Sequence, residues 1–248
     1  MAKNDLLKEN ERIDSLQRNG YSIIQNFTRF CFGMDAVLLT EFVKLKNKDN
    51  VIDLCTGTGV IPILLSAKTQ ASHFVGVEIQ SETADMASRS VKLNELEDKI
   101  DIVCENLRNL NGIYKNASFD AVTVNPPYMK SGKGLVNPDE SKAIARFEIK
   151  CTLEDVLSVS SKLLKEGGGF FMVHKPERLD EIIVGMKKVK LEPKRLRVVY
   201  PRTDSEPNMI LVEGRKCANP GMRIEKPLII YDDSGKYTPE VSRIYEEN

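Results

Sequence analysis

The stretch Val51-Ile52-Asp53-Leu54-Cys55-Thr56-Gly57-Thr58-Gly59 decides how this chain is read. Val51 to Cys55 is a short buried strand, the two glycines make a turn, and Val60 to about Lys68 carries a helix pattern that tolerates Pro62 in its first turn. Strand, glycine turn and helix open a nucleotide-binding α/β unit, in which glycine lets a ligand approach the backbone closely. The pattern Gly57-x-Gly59-x-x-Pro62 lacks the third glycine of the dinucleotide fingerprint, so a nicotinamide enzyme is disfavoured.

Downstream, His73 to Val77 is a second strand ending in Glu78, 19 residues beyond Gly59. An acid at that position is where such a fold presents a carboxylate to a ribose diol. A helix follows from Glu82 to about Leu96, then a third strand, Ile100 to Cys104, runs into Glu105 and Asn106. A side chain there reads the adenine of a bound nucleotide; Asn106 is preferred, Glu105 competes, and a plain turn is the alternative. Upstream, residues 1 to 12 are polar and expected to be frayed or lightly docked, and Tyr21 to Gln25 suits a small hairpin arm. Asp35 caps a helix over Ala36 to Val43 and, with Phe32, stands at the expected mouth of the cofactor pocket.

The fourth strand, Phe119 to Val124, ends in Asn125-Pro126-Pro127-Tyr128. Paired prolines remove two backbone donors and fix φ, so neither strand nor helix continues through them. The result is a stiff corner that sets an amide, backbone carbonyls and an aromatic ring side by side. An exocyclic amine or carboxamide nitrogen is a poor nucleophile because its lone pair is delocalised. Two acceptors fixed in place, Asn125 Oδ1 and the Pro126 carbonyl, localise that pair by electrostatic preorganisation, and Tyr128 stacks on the planar acceptor. A tight loop with a capping Asn and a packed Tyr is the bland alternative.

Beyond the corner, Met129 to Lys150 is long, broken by Gly132, Gly134 and Pro138, and dotted with Lys130, Lys133, Lys142, Arg146 and Lys150. Its place suggests a substrate lid. A helix from Thr152 (the N-cap) to Lys165 is ended by Gly167-Gly168-Gly169, and Phe170 to His174 is the fifth strand, with His174 a packed rim residue rather than a base. After a helix from about Arg178 to Lys190, Arg195 to Tyr200 and Asn208 to Glu213 form an antiparallel hairpin at the sheet edge. Residues 185 to 227 hold 11 basic and 5 acidic side chains, the local excess expected where a polyanion binds, or ordinary edge protection. A last extended stretch, Pro227 to Tyr231, precedes a turn over Asp232 to Gly235 and an acidic tail.

Composition narrows the classes. The 248 residues carry 36 basic and 36 acidic side chains, so no global charge argues for nucleic acid or membrane. No apolar run nears the roughly 20 residues of a membrane span, and the charged N-terminus lacks a signal core, so a cytoplasmic protein is expected. Five scattered cysteines and two histidines form no metal-ligand cluster; reduced thiols and no metal are the expectation. Nothing in the sequence sets an oligomeric state.

Asp53-Leu-Cys-Thr-Gly-Thr-Gly59 resembles the cofactor motif of class I S-adenosylmethionine-dependent methyltransferases, and Asn125 to Tyr128 resembles the catalytic motif of their amino-methylating branch. The likeness extends over nearly the whole chain, through F-C-F-G-M-D-A-V-L-L before the first strand, A-R-F-E (Ala145 to Glu148), P-R-T-D, N-M-I-L-V-E and P-L-I-I-Y-D-D-S-G-K-Y-T-P-E-V. Together these look like the bacterial tRNA1(Val) N6-adenine methyltransferase group, which modifies adenine 37 beside the anticodon. The sequence departs from that group's pattern at Asn106, where Asp is usual, and at Phe147, where His is expected.

The resemblance implies an α/β fold with a Rossmann-like seven-stranded sheet, mostly parallel with an antiparallel C-terminal hairpin. It implies one methyltransferase domain over 1–248, divided into an N-terminal extension (1–45), a catalytic core (46–216) and a C-terminal extension (217–248). S-adenosylmethionine is the implied cofactor and tRNA the implied partner. The expected cofactor set is Phe32, Asp35, Asp53, Thr56, Gly57, Gly59, Glu78, Ile79, Glu105, Asn106 and Asn125; the catalytic set is Asn125, Pro126, Pro127 and Tyr128; the RNA set is Lys130, Lys133, Arg146, Arg197 and Arg202. The rival readings are methylation of a glutamine amide in a release factor, and an RNA-binding module without turnover.

Overall fold

Parallel strands covered on both faces are rich in apolar residues, and the run after Asn50 supplies Val51, Ile52 and Leu54, with Asp53 the one polar residue among them. The computed structural model describes residues 3–29, 31–128 and 151–245. In it β3 (Asn50–Leu54) is the middle of a parallel array with β4 (His73–Glu78), β5 (Ile100–Cys104), β6 (Phe119–Val124) and β7 (Leu164–His174). Successive side chains alternate between faces. Val51, Phe171 and Val173 pack into one core with α1 (Met34–Phe42), α2 (Val60–Lys68) and α3 (Ser81–Leu93). Ile52, Leu54, Phe170 and Met172 pack into the other with α4 (Leu153–Leu163) and α5 (Leu179–Lys188).

The strands run β5-β4-β3-β6-β7, then β9 (Met209–Lys216) and β8 (Leu191–Tyr200), both antiparallel pairings. The order reverses between β3 and β6. Loops leaving the carboxyl ends of these two strands diverge to opposite sides and leave a crevice, the usual ligand position in open α/β sheets.

Two expectations are corrected. The sheet has nine strands, not seven, because β10 (Arg223–Ile224) and β11 (Leu228–Ile229) each pair in parallel with the outer side of β8. The β8–β9 hairpin is therefore not left at a bare edge; the later chain covers β8 and removes an open row of backbone donors and acceptors. The three glycines do not end a helix. α4 stops at Leu163, β7 begins at Leu164, and pairing with β6 jumps from Phe119↔Leu164 to Ala121↔Gly169. The intervening residues bulge out of register, and a Cβ on Gly169 would meet Phe171 Cε2 at 2.7 Å. As expected, Thr152 caps α4: its Oγ1 accepts from Asp155 N, and Asp155 Oδ2 accepts from Thr152 N at 2.8 Å.

The N-terminal region is more firmly held than its polarity suggests. β1 (Glu11–Ser15) and β2 (Ser22–Asn26) form the expected hairpin arm, docked on α3 through Ser90 Oγ and the Asn94 amide. Arg89 pairs with Glu11 at 2.6 Å and donates to the Leu6 carbonyl, so the segment before β1 is anchored rather than frayed. Gln25 then accepts from Phe32 N at 2.9 Å while donating to Asp14, which ties the arm to the loop before α1. No helix among the described residues is long and apolar enough to cross a membrane.

Candidate active site

One cavity opens at the carboxyl ends of β3, β4, β5 and β6, with about 1040 Å³ counted out to its solvent-facing mouth. That is room for a nucleoside-sized ligand. The loop after β3 forms its floor. Cys55 takes φ 58°, a left-handed conformation strained for a side chain with a Cβ, and Gly57 and Gly59 follow at φ 57° and 87°. A Cβ on Gly57 would meet nothing within 4 Å, so its backbone faces open space, whereas Gly59 packs against Ala87 and starts α2.

Glu78 closes the second side. Its Oε2 accepts from Gly57 N at 3.1 Å and its Oε1 from Gln80 N at 2.9 Å, which fixes the carboxylate against the glycine loop and leaves lone pairs for a ligand. Burial raises its pKa, opposed by those backbone N–H groups. Beneath the floor, Asp53 is 1 % exposed and lies outside the lining. Thr123 donates to its Oδ1 at 2.6 Å, while Oδ2 has no hydrogen-bond partner among the described residues. Burial pushes this carboxyl up to about 7, with the Thr123 hydroxyl opposing.

The third side comes from β5. Glu105 and Asn106 both line the cavity. Glu105 Oε1 accepts from Asn106 N and Asn109 Nδ2, and these bonds hold its carboxyl below the usual range. Asn106 Oδ1 caps the following 3-10 turn by accepting from Arg108 N at 3.0 Å, so its amide N–H bonds stay available to an acceptor in the cavity.

Asn125 and Pro127 reach the cavity from the end of β6. Asn125 Nδ2 donates to Asp35 Oδ2 at 3.0 Å; the Tyr128 hydroxyl lies 2.6 Å from the same oxygen and 2.5 Å from Asn125 Oδ1. Burial and the nearby Asp35 carboxylate hold the Tyr128 phenol well above its ordinary pKa. His174 meets the Tyr128 ring edge-on at 5.2 Å between centroids, and Lys175 Nζ stands 5.7 Å from that ring's centre. His174 is fully buried, accepts from Lys175 N at Nδ1, and is pushed down to about 4 chiefly by burial. It is neutral at pH 7, with its proton on Nε2.

Of the residues singled out in the sequence, Phe32, Thr56, Gly57, Glu78, Ile79, Glu105, Asn106, Asn125 and Pro127 line one cavity. Asp35, Asp53, Gly59, Pro126 and Tyr128 stand outside that lining, although Asp35 and Tyr128 bond directly to Asn125. Arg197 is committed elsewhere, to Glu240 at 2.6 Å and to the Lys226 carbonyl; Arg202 is exposed beyond β8. The segment 129–150, with Lys130, Lys133 and Arg146, lies outside the described residues. Five of the eleven basic side chains over 185–227 (Lys187, Arg195, Arg197, Arg215 and Arg223) are in ion pairs, so the charge count overstates a free basic surface.

Sequence reasoning missed Arg29, Cys55, Gln80, Thr83, Leu107 and Cys151 as lining residues. Gln80 and Leu107 were findable, since each sits within three residues of a strand end already picked out. Arg29 and Cys151 arrive from distant loops with no local pattern to mark them.

Residues 32–189 match the model of the family described as methyltransferase small domain. A Porphyromonas gingivalis protein named tRNA1(Val) (adenine(37)-N6)-methyltransferase is 30 % identical over 225 residues, covering 86 % of each chain. A Bacteroides fragilis protein of the same name is 26 % identical over 180 residues, 73 % of this chain and 75 % of its own. Among solved structures, an Agrobacterium tumefaciens protein described as a predicted O-methyltransferase superposes with a TM-score of 0.69 at 22 % identity, over 86 % of this chain and 95 % of its own. Geranyl diphosphate C-methyltransferase from Streptomyces coelicolor, solved with S-adenosyl-L-homocysteine, gives 0.57 at 15 % identity over 74 % and 77 %. With the family match spanning the glycine floor, Glu78 and the Asn125 corner, this chain belongs to the methyltransferase small domain family, among relatives of the tRNA1(Val) (adenine(37)-N6)-methyltransferases.

Proposed function

We propose that this protein transfers a methyl group from S-adenosylmethionine to N6 of an adenine in tRNA, and that the adenine is number 37 of tRNA1(Val), as in its named relatives. The observation that carries the reading is Asn125 at the cavity wall, opposite a glycine floor and a buried strand-end carboxylate. The residues present suit the cofactor. Gly57 leaves backbone open to the cavity, Glu78 offers a carboxylate to ribose hydroxyls, and Ile79 with Leu107 supplies apolar wall for an adenine. When bound, S-adenosylmethionine supplies a methyl group on an electron-poor sulfonium.

The chain's own part is positioning and acceptance of hydrogen bonds. Asn125 Oδ1 and the Pro126 carbonyl take the two N–H bonds of the target amine and restore density to its nitrogen. Tyr128 supplies the ring on which the flipped base stacks. The proton released afterwards leaves to water, because His174, buried and pushed down to about 4, is too weak a base to hold it. Arg202, exposed next to the turn holding Gly235, is the RNA-contact candidate among the described residues.

The test is methyl transfer from labelled cofactor to bulk tRNA and, separately, to a release factor. Label is expected in tRNA. Label in the protein alone would transfer the assignment to a glutamine amide, and tRNA binding without any transfer would make this an RNA-binding module.

A further inference from the structure

We infer that Asp35 is a positioning residue: it sets the polarity of the Asn125 amide so that Oδ1, not Nδ2, faces the acceptor amine. The inference rests on the methyl-transfer reading above and goes beyond it, since Asp35 was expected at the cofactor and stands outside the cavity lining.

An Asn side chain is nearly symmetric in shape, and only its hydrogen-bond partners decide which end is oxygen. The partner 3.0 Å away is a carboxylate oxygen, Asp35 Oδ2. An ionised carboxylate only accepts, so the end of the Asn125 amide against it must be NH2. The oxygen is then forced to the opposite side. Were the amide reversed, two oxygens would meet at Asp35 and an NH2 group would confront the N–H bonds of the incoming amine.

Asp35 is itself held. Its Oδ1 accepts from Ala36 N at 2.9 Å at the start of α1, and a Cβ on Gly33 would come within 2.9 Å of that oxygen. The helix start and the glycine before it therefore fix one carboxylate oxygen while the other points at Asn125.

The Tyr128 hydroxyl adds a second consequence. It lies within hydrogen-bond reach of both Asp35 Oδ2 and Asn125 Oδ1 but has one proton to give. An O···O distance this short requires a shared proton, so the phenol divides its single O–H between the two acceptors, and Asn125 Oδ1 uses one of its two lone pairs on it. The second lone pair of that amide oxygen remains for the N–H of an amine entering from the cavity.

A double-mutant cycle tests this, run with whichever methyl acceptor the wild-type enzyme uses, so that failure of the tRNA reading and failure of the present inference give different results. Asp35→Ala is expected to lower kcat by about 30- to 100-fold, the size of a small misplacement of a reacting group. Cofactor Kd should stay within about twofold, since Asp35 does not face the cofactor cavity. Asp35→Asn keeps an acceptor oxygen and should recover part of the rate. In an Asn125→Ala background, Asp35→Ala should add almost nothing, because interacting residues are non-additive. Independently of any acceptor, the side-chain amide proton resonance that disappears in Asn125→Ala should move upfield in Asp35→Ala. Full additivity, cofactor affinity falling in step with kcat, or an unmoved amide resonance would overturn the inference.

Discussion

At the carboxyl ends of β3 and β4 the sheet buries Asp53 and Glu78 with no ion pair to either carboxylate among the described residues. In its antiparallel part it buries Glu213 against Arg195 at 2.6 Å and Arg215 at 2.9 Å. Arg195 also donates to the Phe42 carbonyl at 2.5 Å, reaches Glu225 at 3.1 Å and lies 3.9 Å over the Phe42 ring. Burying a charge is unfavourable unless it is paired and hydrogen-bonded. The β8–β9 end meets that condition within the chain and reads as structure. The β3–β4 end has no such ion pair, with both carboxyls raised mainly by burial, and Glu78 lines the cleft there while Asp53 lies beneath its floor; a cleft with such a group is where a ligand is expected.

The comparison can be broken at its structural end first. Arg195→Ala leaves Glu213 buried with one of its two arginines gone and should destabilise the fold by about 3 to 5 kcal/mol. Denaturant unfolding measures this, and an effect under about 1 kcal/mol would mean the buried network is not structural. Next comes the reaction corner. Asn125→Ala should lower kcat by about 10² to 10³ with cofactor affinity nearly unchanged; equal losses in both would make Asn125 part of the scaffold.

A smaller effect is expected at the unpaired end. Glu78→Gln keeps an acceptor for the glycine loop but removes charge, and should weaken cofactor binding by roughly 10- to 100-fold, the worth of a charge-assisted hydrogen bond. Calorimetric titration with unchanged affinity would take the ribose away from Glu78. Asp53 gives the subtlest signature. Its carboxyl is raised from 3.8 to about 7 in the fold, so its contribution to stability is complete below about pH 4 and fades as pH climbs through about 7. Asp53→Asn should not show that decline, and the variant should gain on the wild type between about pH 4 and pH 7. Parallel stability profiles would show that Asp53 does not titrate in this window.

The two regions also differ in how far they could be read beforehand. Asp53 to Gly59, Glu78 and Asn125 to Tyr128 are marked by contiguous strand-turn patterns, because strand ends aligned in one sheet bring local motifs together without further information. The register of β10 and β11, two residues each, leaves no such mark; their pairing with β8 depends on what else covers that edge. The Asp35–Asn125 bond joins residues 90 positions apart, and nothing near either residue announces it. Asp35 reads locally as a helix cap, but Gly33 holds the cap position and Asp35 lies within the first turn of α1, where its Oδ1 accepts from Ala36 N. Its second oxygen does the work that only the folded chain reveals. Likewise, the basic excess over 185–227 reads as a free surface until its acidic partners, Glu240 among them, are placed against it.

The most direct test of the account is nucleoside mass spectrometry of tRNA incubated with the protein and a cofactor carrying a deuterated methyl group. Deuterated N6-methyladenosine is the predicted product, absent from the parallel reaction with Asn125→Ala. Label on any other base or atom, or the same yield from the variant, would contradict it.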